Sequence, residues 1–346
     1  MKSIAKSWAS SWDIPKKIPP WRRRRYEYIS ILLTRVDAQL VEKFASMGVK
    51  VISNRLIGTD HVDVKRAKEL GMTVTYAPYS SACVADYAVM LMLMSIRRMR
   101  QIIRRNEMND FTLPGIQGKE MRNMTVGVLG TGKIGRTVIR DLSGFGCKLY
   151  AYDLYQNDEV KQYAQYVSLE EIYRNCDMIT LHMPLTDDNF HLLNREAFAQ
   201  MKDGVVILNF ARDTLVNDDD MAAALEAGKV ARYVSDFPNP KVVHMKHVIL
   251  TPHLGASTRE SEDNCAVMAV QEVIDYIENG NITHSVNYPD CDMGVKGENT
   301  RITLLHHNVP NMIGQFTKIL ADDNMNIADM TNKSKGEYAY TMIDID

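Results

Sequence analysis

The sequence predicts an α/β protein built on a doubly wound parallel sheet, and three observations carry that expectation. Short apolar, β-branched runs alternate with segments of helical periodicity from about residue 29 to residue 278. Runs such as Val205 to Asn209 are apolar on both faces, which suits strands covered by helices on each side. One strand, Thr125 to Leu129, passes directly into a helix through Gly130-Thr131-Gly132-Lys133-Ile134-Gly135.

The 346 residues suffice for two or three domains and a large core. A hydrophobic content of 45% and a net charge of −2 describe an ordinary globular chain and give no case for a nucleic-acid partner. The five cysteines are widely spaced and form no Cys-x-x-Cys, so neither a metal site nor a disulfide framework is expected. Reduced thiols suit a cytoplasmic protein. No apolar run reaches membrane-spanning length.

Residues 1–25 differ from the rest, with all three tryptophans and eight Lys or Arg against one Asp. They read as a disordered basic tail; a nucleic-acid patch at Arg22–Arg25 is the lesser reading. Ile29 to Leu33, Val49 to Ser53 and Met72 to Tyr76 are expected strands. Helices from Ala38 to Met47 and from about Asp63 to Leu70, each stopped by glycine, separate them. Val84 to Ile96 is the most apolar helix, and its methionines read as core packing.

Beyond the glycine turn, the expected strands are Lys148 to Tyr152, Asp177 to His182, Val205 to Asn209, Arg232 to Asp236 and His247 to Thr251. Helices are expected at Ser168 to Cys176, Arg195 to Met201 and Asn217 to Ala227. Asp218, Asp219 and Asp220 suit a helix dipole better than a metal. A long helix, Glu260 to Glu278, closes this part. After a linker at 287–299 the pattern changes to β-α-β-β: Arg301 to Leu305, Pro310 to Asp322, Asn326 to Thr331 and Tyr338 to Ile345.

In the glycine turn, Gly130 permits the bend, Gly132 lets a diphosphate approach the backbone, and Gly135 packs the helix on its strand. Asp153, eighteen positions beyond Gly135, ends the next strand and suits the ribose hydroxyls of NAD while repelling the extra phosphate of NADP. Arg212 and His253 each follow a strand at the edge where ligands bind in such sheets. A guanidinium there holds a carboxylate, and an imidazole exchanges protons near neutral pH. The backbone at Ile57-Gly58-Thr59 is a candidate anion cradle.

These motifs resemble the D-isomer-specific 2-hydroxyacid dehydrogenases from about Ile29 to Tyr288. The glycine turn, Asp153, Leu181-His182-Met183-Pro184-Leu185, Asn209-Phe210-Ala211-Arg212 and Thr251-Pro252-His253 come in that family's order and spacing. The resemblance implies a Rossmann-type NAD domain at 99–256, inserted in a flavodoxin-like substrate domain at 26–98 and 257–288 whose amino-terminal elements are incomplete. It implies that Gly130, Thr131, Gly132, Lys133, Ile134, Gly135, Asp153, His182, Pro184, Phe210, Ala211 and Asp236 hold NAD. His253 would exchange the hydroxyl proton, Arg212 would hold the substrate carboxylate, and Arg55, Ile57 and Gly58 would bind the same small 2-hydroxy or 2-keto acid. A homodimer is also implied.

The resemblance has two flavours. Residues 29–148 look like D-lactate dehydrogenases of the vancomycin-resistance type. From about Ser168 the chain looks like D-3-phosphoglycerate dehydrogenases of serine biosynthesis, and residues 300–346 look like part of an ACT regulatory module. There His306, Asn308 and Asn326 match positions that bind L-serine. The expected activity is therefore 3-phosphoglycerate oxidation, with D-lactate dehydrogenase, a non-catalytic NAD-binding regulator or an inactive fragment as alternatives. Most relatives carry a glutamate that supports the catalytic histidine. Ser235-Asp236-Phe237-Pro238-Asn239-Pro240 has none, and Asp236 is the nearest substitute, its other reading being a contact with the nicotinamide amide.

Overall fold

The computed structural model describes residues 27–346 apart from Leu33 and Tyr79. The expectations for the basic tail at 1–25 lie outside the described residues. The chain divides into two compact units. One joins the described residues before Ser80 to Asp263–Asp346, and the other is Ser80–Glu262.

The first unit opens with β1 (Tyr28–Ile31), α1 (Ala38–Ser46), β2 (Val51–Asn54), α2 (Val64–Glu69) and β3 (Thr73–Tyr76). Its three strands pair in parallel in the order β1-β2-β3. Asp37 and Asp63 cap the two helices by accepting from Leu40 N and Arg66 N at 3.0 and 2.9 Å. Val41, Ile52, Ala67 and Val74 close the core between helices and sheet.

The second unit begins with α3 (Ser81–Ile96) and α4 (Met99–Glu107). There follow β4 (Thr125–Leu129), α5 (Lys133–Ser143), β5 (Lys148–Tyr152), α6 (Asp158–Lys161), β6 (Gln165–Tyr166), α7 (Leu169–Asn175) and β7 (Met178–Leu181). Then come α8 (Arg195–Gln200), β8 (Val205–Asn209), α9 (Asp218–Glu226), β9 (Val230–Ser235) and β10 (Val248–Leu250). The seven strands form one parallel sheet in the order β10-β9-β8-β7-β4-β5-β6. Leu91, Met92, Val138 and Leu142 of α3 and α5 cover one face over Val126, Val128 and Ala151. Ile172, Phe198, Met221 and Leu225 cover the other over Ile179, Ile207 and Tyr233. Strands buried on both faces account for their unbroken apolar character. Three elements were not expected. Helix α4 buries none of its residues, and α6 and β6 have only four and two residues.

Helix α10 (Arg259–Asn279) leads back into the first unit, where Ser53 Oγ donates to Ala269 O at 3.2 Å. The last elements are β11 (Thr300–His307), α11 (Met312–Asp322), β12 (Ile327–Lys335) and β13 (Tyr338–Ile345), an antiparallel sheet in the order β11-β13-β12. Ile343 and Ile345 face Phe316 and Leu320 of α11, while Tyr340 and Met342 face Ile282, Cys291 and Tyr276. Period-two alternation thus gives each side of β13 its own apolar cluster.

Arg301 of β11 is buried opposite Asp344 of β13. Its Nε and Nη2 donate to the carboxylate at 2.7 Å each, and Nη1 donates to the carbonyls of Asn279 and Gly294 at 2.9 Å. Arg301→Ala leaves a buried carboxylate unpaired and is expected to lower the unfolding free energy by about 3 kcal/mol. The Arg301 hydrogen bonds hold the Asp344 carboxyl below its ordinary range. Its contribution is therefore complete above the unfolded value of about 4 and is lost as pH falls through the lower folded value. Urea titrations from pH 7 down to pH 3 should show the wild type and Arg301→Ala converging. A constant gap would contradict this.

Candidate active site at the carboxyl edge of the parallel sheet

One row of paired residues crosses six strands of the seven-stranded sheet. Leu250 is opposite Ser235, Ser235 opposite Asn209, Asn209 opposite Leu181, Leu181 opposite Leu129, and Leu129 opposite Tyr152. The residue after each is Thr251, Asp236, Phe210, His182, Gly130 or Asp153. Parallel strands end together, so six separate stretches of sequence deliver their side chains to one edge. Strand order reverses direction between β4 and β7, the place where open α/β sheets bind ligands.

Gly130 continues the ladder, its N–H donating to Tyr152 O at 2.8 Å, with φ at +93°. A Cβ there would lie 2.7 Å from the His182 carbonyl, and one on Gly135 would lie 1.8 Å from Gly130 O. Both positions therefore require glycine. Gly132 is different, because a Cβ there would meet nothing within 4 Å. It precedes α5 and makes no side-chain cap, so the amides at Lys133 and Ile134 and the positive end of the helix dipole face open space. Asp153 Oδ2 accepts from Thr131 N at 2.6 Å and Thr131 Oγ1 at 3.1 Å, while Oδ1 accepts from Tyr155 N at 3.1 Å. Tyr166 OH donates to Thr131 Oγ1 at 2.8 Å. Asp153 thus fastens the glycine turn while its carboxylate keeps lone pairs for ribose hydroxyls. An open glycine, an uncapped helix start and a neighbouring carboxylate fit NAD.

Across the switch point, Asn209 shapes the loop that presents Arg212. Its Nδ2 donates to Arg212 O at 2.8 Å, and its Oδ1 accepts from Ala211 N at 3.1 Å. Arg212 Nη1 in turn donates to Ala211 O at 2.7 Å. On the adjacent strands, His253 Nδ1 lies 3.2 Å from Asp236 Oδ2. The imidazole is 65% exposed and the carboxylate only 4%, so a buried anion holds one nitrogen and the ring projects outward. Phe237 packs beside it with ring centroids 4.9 Å apart. With Nδ1 anchored, Nε2 is the nitrogen left for proton exchange.

His182 stacks on Phe210 at 6.2 Å, and its Nε2 is 2.9 Å from Thr180 Oγ1. Burial pushes its imidazole down to about 3, so it is neutral in ordinary buffers. Pro184 follows in the same loop, where its carbonyl accepts from Asn189 Nδ2 at 2.8 Å. Two residues at this edge, Tyr87 and Thr251, escaped the sequence reading as site residues. Tyr87 sits among apolar neighbours at helical spacing, and Thr251 is overshadowed by His253 two positions on.

The remaining candidates belong to the first unit. Asn54 Nδ2 donates to Leu56 O and Gly58 O at 2.9 Å each, fixing the loop that holds Arg55, Ile57 and Gly58. His306 is committed at both nitrogens, to His307 O and Thr341 Oγ1 at 2.8 Å. Asn308 donates to Gly336 O at 3.2 Å and Asn326 to Asp346 Oδ2 at 2.7 Å. His306 is opposite Ala339, whereas Asn326 lies beside Asp346. Seven strand residues, roughly 24 Å, separate those positions. The fold of one chain does not bring the three candidate L-serine ligands together. Among the described residues no group of three or more His, Cys, Asp or Glu could hold a metal, and no helix is long and apolar enough to cross a membrane. Asp218 and Asp219 instead engage Asn239 and Lys241 at 2.8–2.9 Å.

Comparison with known proteins finds that residues 89–255 match the NAD binding domain of D-isomer specific 2-hydroxyacid dehydrogenases. The chain is 37% identical over 274 residues to an aromatic 2-oxoacid reductase of Clostridium sporogenes, spanning 72% of this chain and 83% of the relative. It resembles the apo-structure of D-lactate dehydrogenase from Escherichia coli, with a TM-score of 0.70 and 31% identity over 75% of this chain and 85% of the other. It also resembles D-lactate dehydrogenase from Aquifex aeolicus complexed with NAD and lactic acid, with a TM-score of 0.68 and 28% identity over 79% and 90% of the two chains. These relatives point to D-lactate and 2-oxo-acid chemistry, the alternative among the expected activities, rather than to phosphoglycerate, and they give no support to serine biosynthesis or an ACT module.

The open space at Gly132 yields a direct test. Gly132→Val is expected to leave the melting temperature within a few degrees, since a helix cap changes stability by about 1 kcal/mol. NADH affinity, read by fluorescence titration, should fall at least tenfold. Unchanged affinity would mean that no diphosphate approaches there.

Proposed function

The chain belongs to the D-isomer specific 2-hydroxyacid dehydrogenase family, NAD-dependent oxidoreductases of the CH–OH group, and from that premise we propose that it reduces a small 2-oxo acid, pyruvate or an aromatic 2-oxo acid, to the D-2-hydroxy acid. The observation that carries this reading is the Asp236–His253 pair at the same sheet edge as Arg212 and the glycine turn.

Bound NADH supplies the hydride that reduces the carbonyl carbon. Arg212 holds the substrate carboxylate through a two-pronged hydrogen bond and polarises the carbonyl oxygen. His253 gives its Nε2 proton to that oxygen and regains it from solvent. Asp236, a positioning residue, fixes the ring through Nδ1 and so aims Nε2 outward, the place that a glutamate takes in most relatives. Gly130 to Gly135, Asp153, His182, Pro184, Phe210 and Ala211 form the proposed cofactor seat.

We assign substrate binding chiefly to the first unit and cofactor binding to the second, so that α3 joins the cofactor side rather than the expected 26–98. Arg55, Ile57 and Gly58 are the substrate-binding proposals in the first of these. A homodimer is our proposed assembly. Met108, Phe111 and Leu113 support it, since they lie close together in sequence and are 70–75% exposed.

Initial rates with NADH should give kcat/KM for pyruvate or phenylpyruvate at least tenfold above that for phosphohydroxypyruvate. A preference for the phosphorylated acid would restore the phosphoglycerate reading, and NADH binding without turnover of any acid would favour a regulator. Asp236→Asn replaces the carboxylate that anchors His253 Nδ1, and kcat for reduction should fall at least tenfold in steady-state assays. An unchanged kcat would remove Asp236 from its role.

A further inference from the structure

Every partnerless buried side-chain polar atom among the described residues of the second unit lies at this one edge. The four are Tyr87 Oη, His182 Nδ1, Asp236 Oδ1 and Thr251 Oγ1. Each such atom destabilises the fold unless a ligand or water satisfies it. Four together mark a polar seat awaiting a partner rather than four independent defects.

Tyr87 projects from α3 into this seat. Its ring meets Phe210 edge to face, with centroids 6.0 Å apart at 70°, and Phe210 stacks on His182. A Cβ on Gly255 would lie 3.8 Å from Tyr87 Cδ1, so the loop after His253 closes over the ring. The phenol is beside the Thr251 hydroxyl and the Asp236 carboxylate, and burial pushes it above its ordinary value, so it remains a donor in neutral buffer. Asp236 has one oxygen on His253 and one without a partner. The seat therefore offers an acceptor, Asp236 Oδ1, next to two hydroxyl donors. A primary carboxamide has the matching pattern, an N–H₂ donor and a carbonyl acceptor on one planar group.

We propose that Tyr87 is a cofactor-orienting residue whose hydroxyl donates to the carboxamide oxygen of nicotinamide, while Asp236 Oδ1 accepts from the carboxamide nitrogen. Two contacts on opposite ends of the carboxamide fix the rotation of the ring and so select the face that meets the substrate. This rests on the NAD-dependent reading above and adds a residue to it.

The test compares two ligands of the intact protein by titration calorimetry. NADH carries the carboxamide, and ADP-ribose has no nicotinamide. Tyr87→Phe keeps the ring packing and should lower NADH affinity about tenfold, while ADP-ribose affinity changes less than twofold. Unchanged NADH affinity, or an equal loss for both ligands, would overturn the proposal. If Tyr87→Phe does not fold, the wild type decides. NADH should bind severalfold more tightly than its thionicotinamide analogue, whose sulfur is a weaker acceptor, and equal binding would overturn the assignment. Failure of the wild type to bind either NADH or ADP-ribose would defeat the NAD-site reading itself, whatever Tyr87 does.

Discussion

The candidate chemistry depends on the parallel register of the seven-stranded sheet. Hydrogen bonding sets Leu250, Ser235, Asn209, Leu181, Leu129 and Tyr152 in one row, and the next residue of each strand then has little choice of position. A slip of one residue in any pair would turn its terminal side chain to the opposite face. Helix packing on both faces opposes such a slip, because inward and outward positions are apolar alike and already filled. The loops need only short, locally bonded turns to finish the site, as Asn209 does for Arg212 and Asp153 does for the glycine turn.

The sequence was legible where one residue type answers one steric demand. Gly130 and Gly135 could be read because no side chain fits between their neighbours, and Asp153 because it ends the adjacent strand. The strands were legible for a similar reason: burial on both faces leaves a continuous apolar run. Helix α4 was not, since Met99, Ile102 and Ile103 give it little more than one turn of apolar spacing and none of its residues is buried. Tyr87 was hidden by its apolar surroundings, and only the partnerless hydroxyl distinguishes it from a core tyrosine.

Substrate choice was the least legible feature. A carboxylate-binding arginine and a proton-exchanging histidine serve pyruvate and phosphohydroxypyruvate equally, so Arg212 and His253 do not separate them. The carboxyl-terminal residues suggested a phosphorylated substrate by likeness alone. In the folded chain His306 and Asn326 stand at opposite ends of β13, each with an intramolecular partner. Matching residue types did not carry their spatial relation, because antiparallel pairing decides which ends meet.

Asp236 joins two events that could have been separate. One oxygen holds the imidazole, and the other has no partner. A ligand that engages the second oxygen also steadies the first, so cofactor occupancy and the aim of the imidazole are coupled. Whatever factor a correctly held ring applies to dinucleotide binding, the dinucleotide must return to the ring. An acid shared in this way ties filling of the seat to presentation of the histidine, a coupling that a separate glutamate behind the histidine would not create.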